Sequence, residues 1–175
     1  MKPSVTKLID MLDKPGLLKW ANRIGLQGIN IDDYRSDSKN SGSNIHSVVE
    51  SFTKYGLLSN DEGLNQKMQK FFSDKEILEM EKDIETDFFI GRFDIKLKWH
   101  GFIFICDYKS NSNVYFETKL QLAAYKMGTE CDHLGIIHLP EFFLRPVDLD
   151  LGLYSQLLIN LSSVYRLKEK IENSK

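Results

Sequence analysis

The sequence predicts an α/β domain built on a mixed sheet, and three observations predict it. Residues 1–75 place apolar side chains at helical spacing. From Glu76 the period shortens. EILEMEKDI, DFFIGRFDIKL and GFIFICDYK are apolar, partly alternating runs joined by short polar links, the pattern of an antiparallel meander. A helical stretch at 114–128 then separates the meander from another apolar run, HLGIIHLP. A strand that follows a helix returns to its sheet by a crossover, so at least one strand pair is parallel.

The elements follow in order. SVTKLIDML reads as a short helix with Ser4 as its cap and Val5, Leu8, Ile9 and Leu12 as its stripe. Asp13 suits the N-cap of a second helix and Pro15 its first turn, with Leu17, Leu18, Trp20, Ala21 and Ile24 as apolar positions. Residues 28–44 are rich in Asp, Ser and Asn and read as a loop. Ser43 or Asn44 caps a third helix, which Gly56 stops. A fourth, over 61–75, turns Leu64, Met68, Phe71 and Phe72 inward. After the meander, the helix at 114–128 presents Leu120, Ala124 and Met127 on one face. The strand at 133–140 is buried, EFFLRPVDL forms a further strand or an extended edge, and a long amphipathic helix closes the chain. The basic residues Arg166, Lys168 and Lys170 suit that helix's dipole and read as a solvated face. The expectation is one domain over 1–175: a mostly helical part at 1–75, the sheet and crossover helix at 76–145, and a C-terminal helix at 150–175.

Composition excludes several classes. With 42% hydrophobic and 27% charged residues over 175 positions, the chain reads as a globular domain with a full core. No apolar run reaches transmembrane length and MKPSVTKLID has no signal-peptide core, so no membrane association and a cytoplasmic location are expected. Cys106 and Cys131 are too few for a disulfide framework, a structural zinc site or an iron–sulfur cluster. They read as one buried thiol and one near a loop. The net charge of −2 does not advertise a polyanion partner, although a site holding divalent metals would itself be acidic and lower the net charge.

One run is odd. FIFICDYKS begins as a buried strand and ends in Asp107, Tyr108 and Lys109. Asp107 and Lys109 are two apart on a strand and share a face. The preceding strand carries Gly91, Arg92, Phe93 and Asp94. Neighbouring strands lie about 5 Å apart, so Asp94 and Asp107 can converge. Two such carboxylates repel and raise each other's pKa unless a cation separates them, and a hard divalent metal is the natural resolution. A lysine beside that metal can orient an attacking water, which supplies the parts for phosphodiester hydrolysis. Gly91 allows close approach of backbone or substrate. An isolated Asp-x-Lys is usually a solvated strand end, so the weight rests on the combination.

That combination resembles the PD-(D/E)XK nuclease superfamily, in particular its RecB-like branch. GSNIHSVVE is similar to the family's early histidine-bearing helix, GRFD and DYK to its acidic and lysine motifs, and QLAAY to its Q-x-x-x-Y motif. The opening PSVTKLIDMLDKPGLLKWA also resembles phage-type members and the mitochondrial genome maintenance exonucleases. The resemblance implies a restriction-endonuclease-like core and a set of roles. Asp94, Asp107, the Tyr108 carbonyl and His46 would be metal ligands for Mg²⁺ or Mn²⁺. Lys109 would orient the nucleophilic water, and Gln121 and Tyr125 would buttress Lys109 or contact the scissile phosphate. Glu79 or Glu81 would face the site according to strand register, with Glu81 preferred, and Glu50 is read as structural. Lys14, Lys19 and Arg23 are candidate contacts to a nucleic-acid backbone. The residues at 28–44 would help frame a passage for one strand.

The expected activity is a metal-dependent DNA nuclease, an exonuclease on single-stranded or end-bearing DNA. It would work alone or with replication or recombination proteins, and without an iron–sulfur cluster. An endonuclease of the same fold acting on branched or duplex DNA, a non-catalytic nucleic-acid-binding module and a protein-interaction domain are the alternatives.

Overall fold

The computed structural model describes residues 1–28, 30, 44–111 and 113–174. Among these, helices flank one mixed sheet of five strands in the order β1-β2-β3-β4-β5. The strands are β1 (Glu76–Glu85), β2 (Ile90–Trp99), β3 (Phe102–Lys109), β4 (His133–His138) and β5 (Phe143–Pro146). β1, β2 and β3 form an antiparallel meander. His100 and Gly101, with φ of 49° and 88°, make the two-residue turn from β2 to β3. Positive φ at both central positions gives that turn the twist a hairpin needs. The chain then crosses over through α5 (Phe116–Gly128), and β4 joins β3 in parallel. β5 folds back antiparallel on β4 as a short edge. The mixed α/β architecture and the crossover are those the periodicity predicts.

The remaining helices are α1 (Val5–Asp10), α2 (Pro15–Leu26), α3 (44–55), α4 (Glu62–Phe72) and α6 (Leu151–Glu172). Ser4 caps α1 by accepting from the Lys7 N–H at 3.2 Å, and Asp61 caps α4 through the Leu64 N–H at 3.0 Å. Gly56, at φ 69°, ends α3 in the left-handed conformation that suits a residue without Cβ.

α2 departs from expectation. Its N-cap position is Lys14 rather than Asp13, and no side chain bonds to the helix end there. Pro15 does occupy the first turn. Of the expected apolar positions Ile24 is buried, Trp20 and Ala21 are half-buried, and Leu18 is 68% exposed. The side chain of Leu17, the loop at 31–43 and the Ser43 cap lie outside the described residues.

The sheet divides three apolar clusters. On one face Phe104, Cys106, Tyr108, Ile95 and Leu97 pack with Val49 of α3 and Met68, Phe71 and Phe72 of α4. On the other, Phe93, Ile105, Leu134 and Ile136 meet Leu122 and Tyr125 of α5. Behind α5, Leu120, Ala123 and Ala124 pack against Val5 and Leu8 of α1 and Leu158 of α6. Gly128 lets the end of α5 touch β1, since a Cβ there would lie 2.7 Å from Ile84 Cβ. Gly91 lets α1 approach β2, because a Cβ on it would meet Val5 Cγ2 at 3.0 Å. Arg166 is not simply solvated: it donates to the Asp87 carbonyl at 2.7 Å and ties α6 to the β1–β2 turn. Cys106 and Cys131 are both buried free thiols, Cys131 in the connection between α5 and β4. No described helix is long and apolar enough to cross a membrane.

Candidate active site

The site forms where β3 loses one of its neighbours. From Phe102 to Cys106 the strand pairs with β2, and the last paired residues are Ile95 and Cys106. The next partners in that register would be Asp94 and Asp107, where the ladder stops. β3 continues alone against β4, with Asp107 beside Ile136 and Lys109 beside His138. The Tyr108 N–H lies beyond the β2 ladder, and Asp94 Oδ2 accepts it at 2.7 Å. A buried N–H without an acceptor is costly, so this carboxylate completes the strand's hydrogen bonding.

β1 and β2 are both irregular at this level of the sheet. Glu81, between the β1 residues that pair with Ile95 and Phe93, has φ 46°. A left-handed backbone at a non-glycine residue is uncommon and marks functional sites more often than ordinary strands. Phe93 packs against Tyr125, whereas Ile95 and Leu97 belong to the opposite cluster. β2 therefore changes the side it presents at Asp94, which frees that carboxylate from the regular pleat.

Asp107 is 2% exposed. Its Oδ1 accepts from the Tyr125 hydroxyl at 3.2 Å, and the Gln121 amide donates to the same hydroxyl. Gln121 and Tyr125 are one turn apart on α5, so the helix delivers a short hydrogen-bonded chain to the carboxylate. Asp107 Oδ2 forms an ion pair with the Lys109 ammonium. That contact lacks hydrogen-bond geometry, and Oδ2 is a buried acceptor with no hydrogen bond.

Burial, then the charge of Asp107, pushes the Asp94 carboxyl well above the usual carboxylate range, against the opposing pull of the Tyr108 N–H. Burial also raises Glu81, with Glu50 adding to the effect and Asp107 contributing less. Glu81 thus belongs to the cluster's electrostatics, while Glu79 pairs with Lys82 at 3.5 Å and Lys96 at 3.7 Å. Glu50 pairs with Lys54. His46, on α3, sets its ring edge-on to the Tyr108 ring with centroids 5.5 Å apart. Burial lowers its pKa, Asp107 opposes that and Lys109 adds to it, so the neutral imidazole is favoured.

The structure therefore brings Asp94, Asp107, Tyr108, Lys109, Gln121, Tyr125, His46 and Glu81 into one neighbourhood. Tyr108 enters it through its N–H and its ring. Among the described residues, no three His, Cys, Asp or Glu side chains converge closely enough to hold a metal ion. The charge of Asp107 acts on Asp94, His46 and Glu81. Lys14 is engaged with Asp10 at 2.7 Å, and Lys19 and Arg23 lie exposed on α2. Among the described residues no hydrogen bond or ion pair joins these three cations to the carboxylates. A cleft of about 270 Å³ adjoins the site, lined by Gln121 and Tyr125 together with Thr6, Gly91 and Arg92.

Sequence reading missed one residue. His138 is 2% exposed and sits beside Lys109 in the sheet. Within IIHLP it looks like part of a core strand, and only the parallel register of β3 and β4 reveals its neighbour.

No family model and no curated protein matches the chain. Among solved structures it is similar to the crystal structure of SSO0001, at 14% sequence identity and a TM-score of 0.44, with 93% of this chain and 76% of that chain covered.

Proposed function

We propose that this chain is a metal-dependent deoxyribonuclease of the PD-(D/E)XK type, RecB-like in its motifs, with a restriction-endonuclease-like core. We read it as an exonuclease on single-stranded or end-bearing DNA, acting in the cytoplasm in replication, recombination or repair. The observation that carries the reading is the pair of buried carboxylates, Asp94 and Asp107. The first is pushed up by burial and by the second, and the second holds an oxygen without a hydrogen bond. Keeping two repelling acids in a core costs stability, and a hard cation between them relieves that cost.

By their chemistry, oxygen donors from two carboxylates suit Mg²⁺ or Mn²⁺. Asp94 and Asp107 would hold the ion with the Tyr108 carbonyl, water filling the remaining positions, as Mg²⁺ prefers. His46, as a neutral imidazole, and Glu81 stand nearest to extend the set. When bound, such an ion lowers the pKa of a water and stabilises charge on a phosphoryl oxygen. The chain's own residues supply the rest. The Lys109 ammonium is donor-only, so it pairs with Asp107 and orients the lone pairs of an attacking water. Tyr125, fixed by Gln121, holds the Asp107 carboxylate in one orientation. Asp94 locks the backbone between Asp107 and Lys109 by accepting the Tyr108 N–H.

The test incubates the protein with end-labelled linear and circular single-stranded DNA under Mg²⁺, Mn²⁺ or EDTA, with Asp107→Ala and Lys109→Ala alongside. Metal-dependent loss of linear DNA, absent in both variants, is expected. Equal degradation by wild type and Asp107→Ala would remove the site assigned here. Cutting of the circles would convert the reading to an endonuclease, and inactivity with every metal would leave a non-catalytic nucleic-acid-binding module.

A further inference from the structure

Register carries the row of the reacting residues across the sheet to its edge. Lys109 pairs with His138, and His138 pairs with Phe143 on β5. One row in, Asp107 pairs with Ile136, and Ile136 with Arg145. Residues paired across a sheet point to the same face. Phe143 and Arg145 therefore share the face of Lys109 and Asp107, two strand spacings, or about 10 Å, away. Leu144 between them packs into the opposite cluster.

Phe143 is a fixed ring. It is 48% exposed, although it stacks on His138 with centroids 4.4 Å apart and planes 19° apart. His138 is itself immobilised. Its Nδ1 lies 2.8 Å from the Asn111 carbonyl, which only accepts, so Nδ1 carries the proton. That bond also ties down the chain just beyond Lys109. Phe142, at φ 55°, is buried against Phe71 and Phe72, which holds the turn before β5 in one conformation. One side of the Phe143 ring is covered by imidazole, and about half of the residue remains exposed.

We propose that Phe143, backed by His138, is a stacking platform for a base of a single-stranded nucleic acid next to the scissile phosphate, with Arg145 serving the adjoining backbone phosphate. The inference rests on the phosphodiesterase reading and adds a direction to it: the strand runs from Lys109 across β4 to β5. An exposed aromatic that shares one face with two cations is an arrangement that binds unpaired bases, because every base has a π-face and every linkage a negative charge. Duplex DNA keeps its bases stacked on one another and offers none to Phe143.

The test is equilibrium binding of a fluorescent single-stranded oligonucleotide, and of its duplex, in EDTA, where no hydrolysis is needed. Phe143→Ala is expected to weaken single-strand binding by roughly ten- to a hundredfold, and Phe143→Trp to restore it. Arg145→Ala is expected to flatten the salt dependence by about one phosphate, a slope that Phe143→Ala leaves unchanged. Thermal melts establish that each variant is folded at the assay temperature. Single-strand binding by Phe143→Ala equal to wild type, or a Trp variant as weak as the Ala variant, overturns the platform, as does a wild type that binds no single strand. The nuclease reading is judged separately. Loss of hydrolysis in Asp107→Ala with Phe143-independent binding leaves the nuclease and removes the platform. An inactive protein with Phe143-dependent binding does the reverse.

Discussion

The two halves of β3 differ in what surrounds them, and that difference separates stability from chemistry. From Phe104 to Cys106 the strand is paired on both sides and buried. Ile105 is fully buried in the cluster under α5, and its side chain carries no polar atom. From Asp107 to Lys109 the strand keeps only β4, and polar side chains take over the bonding that β2 gave up. A fully paired strand is a rigid support. A strand released on one side leaves backbone and carboxylates outside the ladder, while its anchored half limits how far they move.

The contrast is broken most strongly by Asp107→Asn. Hydrolysis should fall by about a thousandfold, the size of several kcal/mol of lost charge stabilisation, with little change in melting temperature. A variant with near-normal turnover would show that this half of the strand is not the reacting half. Ile105→Ala should do the opposite. Truncating a fully buried isoleucine costs about 2–5 kcal/mol of stability, and each kcal/mol lowers the melting temperature of a domain this size by about 2–4 °C. Activity per folded molecule should persist, as assayed below the transition.

Tyr125→Phe sharpens the comparison at a single bond. It removes the hydroxyl that joins Gln121 to Asp107 and leaves the ring against Phe93. A hydrogen bond to a charged group is worth about 1.5 kcal/mol or more, so turnover should fall roughly tenfold, with metal requirement unchanged.

The smallest effect belongs to Asp94→Asn in metal-free buffer. The folded pKa of Asp94 is raised, so its favourable form is the protonated one. That contribution is fully present below the ordinary value of 3.8 and is lost as pH rises through the raised folded value. Wild type and variant should melt alike in acid. Toward neutral pH the variant should melt a few degrees higher, at about 2–4 °C per kcal/mol. Parallel melting curves across pH would show that Asp94 carries no such penalty.

Much of this was legible in the chain. The change of period at Glu76, the short meander links and the helix before HLGIIHLP specify a mixed sheet, because side-chain spacing reports which face each element buries. The spacing of Asp107 and Lys109 places them on one face of β3, and Gln121 and Tyr125 on one face of α5, through local geometry alone. α2 was misread because its apolar spacing does not say whether a neighbour exists to cover it, and Leu18 has none close enough to bury it.

Sequence by itself determined the order of elements and singled out the side chains of the candidate site, since both depend on residues close together along the chain. Tertiary structure alone decided three things. The β2–β3 ladder ends at Cys106, so that Asp94 takes the Tyr108 N–H. Glu81, rather than Glu79, shares the electrostatics of Asp107. His138, Phe143 and Arg145 fall into rows with Lys109 and Asp107. Each depends on strand register, which is set by packing between segments far apart in the chain and leaves no mark in the spacing of any one of them.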